Sequence, residues 1–258
     1  MTLFNTGVRV AIDEWLLEEA KKERDYGKYW SASSAGYCMR KNIFERLKVP
    51  HIETESDARK QRLFTAGHVF HDWIQDVTKQ AGLSVASEVE LQDEDLMIRG
   101  HFDDLIKIDD KLILYDYKTV NSRSFMWSRK NGAKMSYFHK MQLGTYMYML
   151  RKRKGGDPIF LPNNALNQLP DLSEARILKI EKDNLMMEEQ QLFWSEALEE
   201  EVLTYWTMLN EYWKEEKIPP CTCADQEGGF MARDKYNPFY YNGEPCSLKW
   251  YELNKEQQ

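Results

Sequence analysis

The sequence predicts an α/β fold, and three observations carry that prediction. Residues 55–81 keep apolar side chains at helical steps, with Leu63, Gly67, Phe70, His71 and Ile74 on one stripe. Residues 84–120 read as β structure, first through Val85, Val89 and Leu91 and then as two strands. Residues 135–151 return to helical spacing, and 174–182 form a last strand. Helices and strands interleaved in this order pack as helical layers on a sheet.

The remaining elements follow in order. Residues 9–25 form an amphipathic helix through Val10, Ile12, Trp15, Leu16 and Ala20. Ser31 to Ser34 make a cap-rich entry to a helix that carries Cys38, Arg40, Phe44 and Leu47 and stops before Pro50. Gly67 is expected to admit a close backbone, and Gly82 ends the long helix. A turn at Asp109-Asp110 joins the two strands of a hairpin over Gly100–Val120. Residues 121–134 and 154–173 read as loops, and 187–215 as one long helix ended by Pro219-Pro220. The tail from Cys221 to Tyr251 has little periodicity, so it needs a staple other than an amphipathic face.

The whole of 1–258 is expected to be one domain, with a core at 30–185 and a C-terminal helix and cysteine-containing tail at 186–258. A hydrophobic fraction of 42% suffices for a sizeable core. The net charge of −7 argues against a histone-like binder of nucleic acid. Positive charge is nevertheless clustered, at Arg40, Lys41, Arg46 and Lys48, at Arg129, Lys130 and Lys134, and at Arg151 to Lys154. There is no basic-then-apolar leader, and no apolar run approaches the roughly 18 residues of a membrane span. The expectation is a soluble cytoplasmic protein without membrane contact. The absence of GxxxxGK[ST] argues against a nucleotide motor, and HExxH is also missing.

Chemistry concentrates in the hairpin. Carboxylates on apolar strands are costly unless something compensates them. Strand alternation puts Asp116 and Lys118 on one face, where the carboxylate suits a hard divalent cation and the lysine suits developing negative charge. Asp103 is the candidate second carboxylate. Its neighbour Asp104 is the alternative by strand parity, and Glu88 is a candidate extra acid. His71 offers a nitrogen ligand. Gln142 and Tyr146 stand four apart on one helix face. Such a set suits phosphodiester hydrolysis.

In order and spacing, Gly67-x-x-x-His71, Gly100-x-x-Asp103, Asp116-x-Lys118 and Gln142-x-x-x-Tyr146 resemble the motifs of RecB-like nucleases of the PD-(D/E)XK superfamily. The resemblance implies a restriction-endonuclease-like core, a mixed central sheet flanked by helices. It implies that His71, Asp103, Asp116 and the backbone carbonyl of Tyr117 hold Mg²⁺ or Mn²⁺. Lys118 would be the catalytic lysine, with Gln142 and Tyr146 supporting the site and the DNA. The implied activity is a DNA exonuclease with a preference for single-stranded ends, as in phage or cellular DNA processing, recombination or CRISPR adaptation.

Four cysteines in a cytosolic chain point to a metal site or to core residues rather than disulfides. One cysteine before the core, Cys38, and three after it, Cys221, Cys223 and Cys246, resemble the iron–sulfur subgroup of these nucleases. There the N- and C-terminal segments are joined by a [4Fe–4S] cluster. The spacing departs from the commoner pattern, because Cys221-x-Cys223 is followed by a gap to Cys246. Four thiolates also bind Zn²⁺, which is the alternative.

Arg40, Lys41, Arg129, Lys130 and Lys134 are candidates to line a strand-binding channel, with Trp127 and Tyr137 stacking on bases. Two other readings compete. One is a DNA-end-binding, non-motor subunit with little cleavage, working with protein partners. The other is a zinc-stabilised transcriptional or structural protein.

Overall fold

The computed structural model describes residues 7–21, 27–52, 57–130, 132–153, 172–223 and 237–255. Its described elements are α1 (Val8–Lys21), β1 (Trp30–Ser31), a 3₁₀ turn (Ala32–Ser34), α2 (Met39–Arg46), α3 (Asp57–Gln80), β2 (Ser84–Asp93), β3 (Ile98–Ile108), β4 (Lys111–Val120), α4 (Ser122–Lys130), α5 (Tyr137–Arg153), β5 (Glu174–Glu181), β6 (Met187–Phe193), α6 (Glu196–Lys214) and α7 (Leu248–Asn254). Most of the expected segment 154–173 lies outside the described residues.

The strands form one six-stranded mixed sheet in the order β1-β3-β4-β5-β6, with β2 also on β3. β3 pairs antiparallel with β2 and with β4, while β4 and β5 run parallel. A parallel pair needs a crossover, and here α4 and α5 lie within it. One face of the sheet packs against α5 and α6 through Leu105, Leu114, Met147, Ile177, Val202 and Trp206. The other carries a smaller cluster of Ile74 and Phe70 from α3 with Ile106, Ile113, Tyr117 and Ile180. This is the mixed sheet flanked by helices that the resemblance implies.

The β3–β4 hairpin closes as expected, with Ile108 opposite Lys111 and Asp109 in the left-handed region at φ 53°. Asp tolerates that conformation better than most residues.

Two segments differ from expectation. Residues 122–130 are helical rather than loop, because the Asn121 side chain accepts the Ser124 amide and Phe125 is fully buried beneath the turn. The expected helix over 187–215 is instead β6, a corner at Trp194-Ser195, and α6. β6 pairs antiparallel with β5, and Ser195 caps α6 by accepting the Leu198 amide at 3.2 Å. That cap is a start signal inside a run that composition alone presents as continuous.

The tail is held by more than sulfur. Phe44 packs edge-on against Phe239 and stacks on Tyr251, with ring centroids 5.4 and 5.2 Å apart. The Ile52 amide donates to the Pro238 carbonyl at 2.8 Å. An apolar cluster of aromatics thus docks a segment whose sequence shows no amphipathic pattern.

The motif glycines differ in role. A Cβ on Gly100 would lie 2.8 Å from both the Ala32 Cβ and the Tyr146 hydroxyl. Gly100→Ala is therefore expected to destabilise the fold by about 1–3 kcal/mol, read as a lowered thermal midpoint. Among the described residues, Gly67 has only the Thr119 hydroxyl near, at 3.4 Å, and no backbone of another element closes on it, contrary to expectation.

Candidate active site

The site forms where β3 and β4 part. Their pairing runs from Ile108–Lys111 to Asp104–Tyr115 and then ends, while β4 continues beside β5 to Val120. Beyond that point the Tyr117 amide has lost its β3 ladder partner. The Asp103 carboxylate accepts it instead, at 2.7 Å. A buried amide must find an acceptor, and here a side chain supplies it. Groups from both faces of the sheet meet in this split.

Asp116 is buried, and Lys118 Nζ lies 3.0 Å from its Oδ1 and 2.9 Å from its Oδ2. The hydrogen bond goes to Oδ1. Oδ2 takes the charge contact without hydrogen-bond geometry. Gln142, from α5, donates its amide to the same Oδ1 at 2.9 Å. From α3, His71 Nδ1 stands 3.5 Å from Asp103 Oδ2. His71, Asp103, Asp116, Lys118 and Gln142 are thereby brought together.

Asp103 and Asp104 part company. Asp104 is fully buried and accepts from Thr78 at 2.7 Å, Ser84 at 2.6 Å and the Tyr117 hydroxyl at 2.9 Å. Its oxygens are committed to a structural network on the α3 face. Asp103 keeps its carboxylate in the split, 15% exposed. Glu88 lies on β2 between Ser87 and Val89, the register partners of Asp104 and Phe102, in the left-handed region at φ 53°. Gln75 ties the two, donating to the Glu88 carboxylate at 2.9 Å and to the Asp103 carbonyl at 3.0 Å.

Tyr146 is placed differently from Gln142. It is buried, with its hydroxyl against the Gly100 backbone. Tyr117 directs its ring to the α3 face, while its main chain lies at the split.

The electrostatics follow from crowding. Burial, and then the charge on Asp116, push the Asp103 carboxyl well above the ordinary carboxylate range. Burial opposes the charge on Lys118, but Asp116 and Asp103 outweigh it, and the ammonium is held above its usual range. Burial, then Lys118, draw His71 down and favour the neutral, ligating imidazole. Two crowded carboxylates, a neutral imidazole and an orphaned buried Asp116 oxygen are a donor set that fits a hard divalent cation.

A groove of about 680 Å³ opens onto Lys118 and Gln142. Its walls include Trp30, Ser33, Tyr37 and Lys41. Tyr37 stacks on Phe138 with ring centroids 4.6 Å apart, and Lys41 lies over the Tyr37 ring. Sequence reasoning missed this aromatic wall, because Tyr37 and Phe138 are a hundred residues apart in the chain and neither sits in a motif.

The basic residues divide. Lys41 lines the groove, but Arg40 turns to the tail, donating to the Pro219 carbonyl at 2.7 Å and the Cys246 carbonyl at 3.4 Å. That corrects the expectation of a channel role for Arg40: the Pro219 and Cys246 carbonyls, on either side of the docked tail segment, claim its guanidinium. Arg129, Lys130 and Lys134 are exposed, as is Trp127, and none of them lines the groove.

Next to Tyr37 in the chain, Cys38 joins Cys221, Cys223 and Cys246, and the four sulfurs lie within 4.8 Å of one another. Cys38 and Cys221 are 3.9 Å apart, and Cys223 and Cys246 are 3.6 Å apart. The Asn237 amide donates to Cys223 and Cys246 sulfurs at 3.5 and 3.4 Å. Hydrogen bonds among the sulfurs pull Cys38 and Cys221 below the ordinary thiol range and push Cys223 and Cys246 above it. Four thiols so close cannot all ionise without a cation, so the donor set fits a four-thiolate metal centre.

A parted strand pair carrying Asp103 and Asp116-x-Lys118, flanked by a Gln-bearing helix, defines a nuclease core of the PD-(D/E)XK type. The family model for the PD-(D/E)XK nuclease superfamily matches residues 15–223, and the chain belongs to that superfamily. No curated protein matches the sequence. Among solved structures, that of SSO0001 is similar at TM-score 0.50 and 17% identity, over 84% of this chain and 90% of that one. LHK-Exo in complex with dAMP is similar at TM-score 0.47 and 14% identity, over 74% and 90%. The alkaline exonuclease LHK-Exo from Laribacter hongkongensis is similar at TM-score 0.44 and 16% identity, over 79% and 97%. At these identities the likeness to SSO0001 is one of fold.

Proposed function

We propose that this chain, acting as one domain, is a Mg²⁺- or Mn²⁺-dependent deoxyribonuclease that degrades DNA from its ends, with a preference for single strands. The single observation that carries this reading is the convergence of Asp103, Asp116 and Lys118 in the β3–β4 split, at one end of the groove. Its setting would be DNA processing, recombination or CRISPR adaptation in a bacterial or host cytoplasm. Among the described residues, no helix is long and apolar enough to cross a membrane.

His71, Asp103, Asp116 and the Tyr117 carbonyl would hold the divalent cation, which supplies an activated water and charge neutralisation at the phosphate. Lys118 holds a proton-bearing ammonium beside Asp116, placed to stabilise the charge that develops on the phosphate oxygens. Gln142 fixes the Asp116 carboxylate through Oδ1 and leaves Oδ2 unbonded. The aromatic wall at Tyr37 and Phe138 offers a face on which an unpaired base can stack.

At the cysteines the reading is a [4Fe–4S] centre, supported by the sequence resemblance. Thiol spacing favours a second reading. A single tetrahedral Zn²⁺ with bonds of about 2.3 Å sets its sulfurs about 3.8 Å apart, close to the 3.6 and 3.9 Å found. A four-iron cube would hold its thiolates well beyond that spacing. Visible absorbance and metal content of anaerobically purified protein separate the two.

The direct test uses end-labelled single-stranded and duplex DNA with Mg²⁺, Mn²⁺ or EDTA. The expected result is metal-dependent release of short products, faster on single strands. Equal inertness with and without metal would remove the nuclease reading and leave a binding role.

A further inference from the structure

One polar group at the groove is used by neither the metal donor set nor the catalytic lysine. His139 lies in the first turn of α5, three residues before Gln142, so the two side chains share a helix face. It lines the same groove as Lys118 and Gln142. Its Nδ1 is buried without a hydrogen-bond partner, although the residue keeps part of its surface exposed. A buried nitrogen left unpaired costs free energy and calls for an explanation.

Two lysines and one carboxylate surround His139, a net positive neighbourhood. Lys118 and Lys179 are register partners on β4 and β5, so their side chains leave the sheet on the same side. Both lower the affinity of His139 for a proton, and the Asp116 carboxylate opposes them. Burial first, and then Lys118, draw its imidazole down to about 4, and it is neutral at physiological pH. A neutral imidazole still carries one N–H donor. A buried histidine kept only for packing would normally have both nitrogens satisfied or solvated. Here one stays unpaired, beside the Lys118–Asp116 pair and Lys179, whose ammonium also donates to Ser128 at 3.1 Å.

We propose that His139 is a phosphate-recognition residue of the active-site groove, its imidazole donating to a non-bridging oxygen of the phosphodiester that Lys118 faces. This rests on the nuclease reading above and deepens it. The preferred ligand is a strand with an internal phosphodiester at the split. Lys118 then meets one face of the phosphate and His139 another, which fixes the strand before the chemical step. The unpaired nitrogen is a feature of the substrate-free protein. Substrate, together with a turn of the ring about its last side-chain torsion, satisfies it.

Three variants test this: His139→Leu, His139→Gln and His139→Asn. Glutamine places its amide near the position of Nε2, and asparagine near that of Nδ1. Each variant is measured for affinity to a fluorescent single-stranded oligonucleotide in EDTA, for KM and kcat with Mn²⁺, and for thermal midpoint. The expected result is about ten-fold weaker binding and a matching rise in KM for His139→Leu. One of the two amide variants should recover most of that loss, with the midpoint unchanged. Wild-type affinity and KM in His139→Leu would overturn the proposal, the orphan nitrogen then belonging to a buried water. Equal loss in all three variants would also overturn it, since packing would explain that pattern. Binding in EDTA needs no cleavage. If wild-type protein binds but does not cleave, the nuclease reading fails while His139 is still tested. If it neither binds nor cleaves, both fall.

Discussion

Asp116→Asn is expected to reduce metal-dependent DNA cleavage to background while leaving the fold intact. Asparagine keeps the shape and an oxygen for Gln142, but it removes the charge that a divalent cation and Lys118 both require. The substitution also relieves the repulsion that Asp116 exerts on Asp103. DNA affinity in EDTA should therefore hold or rise, because a negative charge has left the phosphate's neighbourhood. Loss of cleavage with retained binding and an unchanged circular-dichroism melt is the expected signature. Lys118→Ala should lower kcat by about 100- to 1,000-fold, the range for removing one donor to a developing oxyanion. Cleavage by Asp116→Asn at the wild-type rate would show that the β3–β4 split is not the hydrolytic centre.

The second large effect belongs to the cysteines. Cys38→Ala is expected to abolish metal binding at the four thiols, undock the tail and damage the groove together. Cys38 and Cys221 are 183 residues apart in sequence, so a metal they shared would close a loop whose entropy is of order 4–5 kcal/mol. Without such a centre, the tail is left to the aromatic packing of Phe44, Phe239 and Tyr251 and to the hydrogen bonds from Ile52 and Arg40. The damage reaches the active site through adjacency. Tyr37 precedes Cys38 and stacks on Phe138, which precedes His139 on the helix that carries Gln142. Limited proteolysis should cut the tail, the thermal midpoint should fall, and oligonucleotide affinity should fall with it. Full activity in a metal-free Cys38→Ala protein would show that the two centres are independent.

Much of the site is legible in the chain because its chemistry is local. Asp116 and Lys118 are two apart on a strand, so alternation alone puts them on one face, and the structure finds them in contact. The choice between Asp103 and Asp104 is different. Parity allows either, and the Gly100 spacing favours Asp103. The physical reason appears only when β3 and β4 separate. Asp103 then takes the unpaired Tyr117 amide in the split, and Asp104 disappears into bonds with Thr78, Ser84 and Tyr117.

The misread segments share a cause. Ser195 and Asn121 start helices by side-chain caps, and one polar residue in a mixed run gives little signal beside an apolar pattern. β6 becomes a strand because β5 offers it an edge, which no property of residues 187–193 announces alone.

By itself the sequence determined the long helix before the sheet, the hairpin, the Asp-x-Lys strand, the Gln-bearing helix and a set of four cysteines split between the chain ends. These depend on spacing within a few residues, which the periods of helix and strand translate directly into shared faces. Tertiary structure alone decided which aspartate stays in the split, that Arg40 serves the tail rather than the groove, and that Tyr37, Phe138 and His139 form one wall. Those outcomes depend on which distant surfaces meet, and backbone pairing and burial fix that only when the whole sheet has closed.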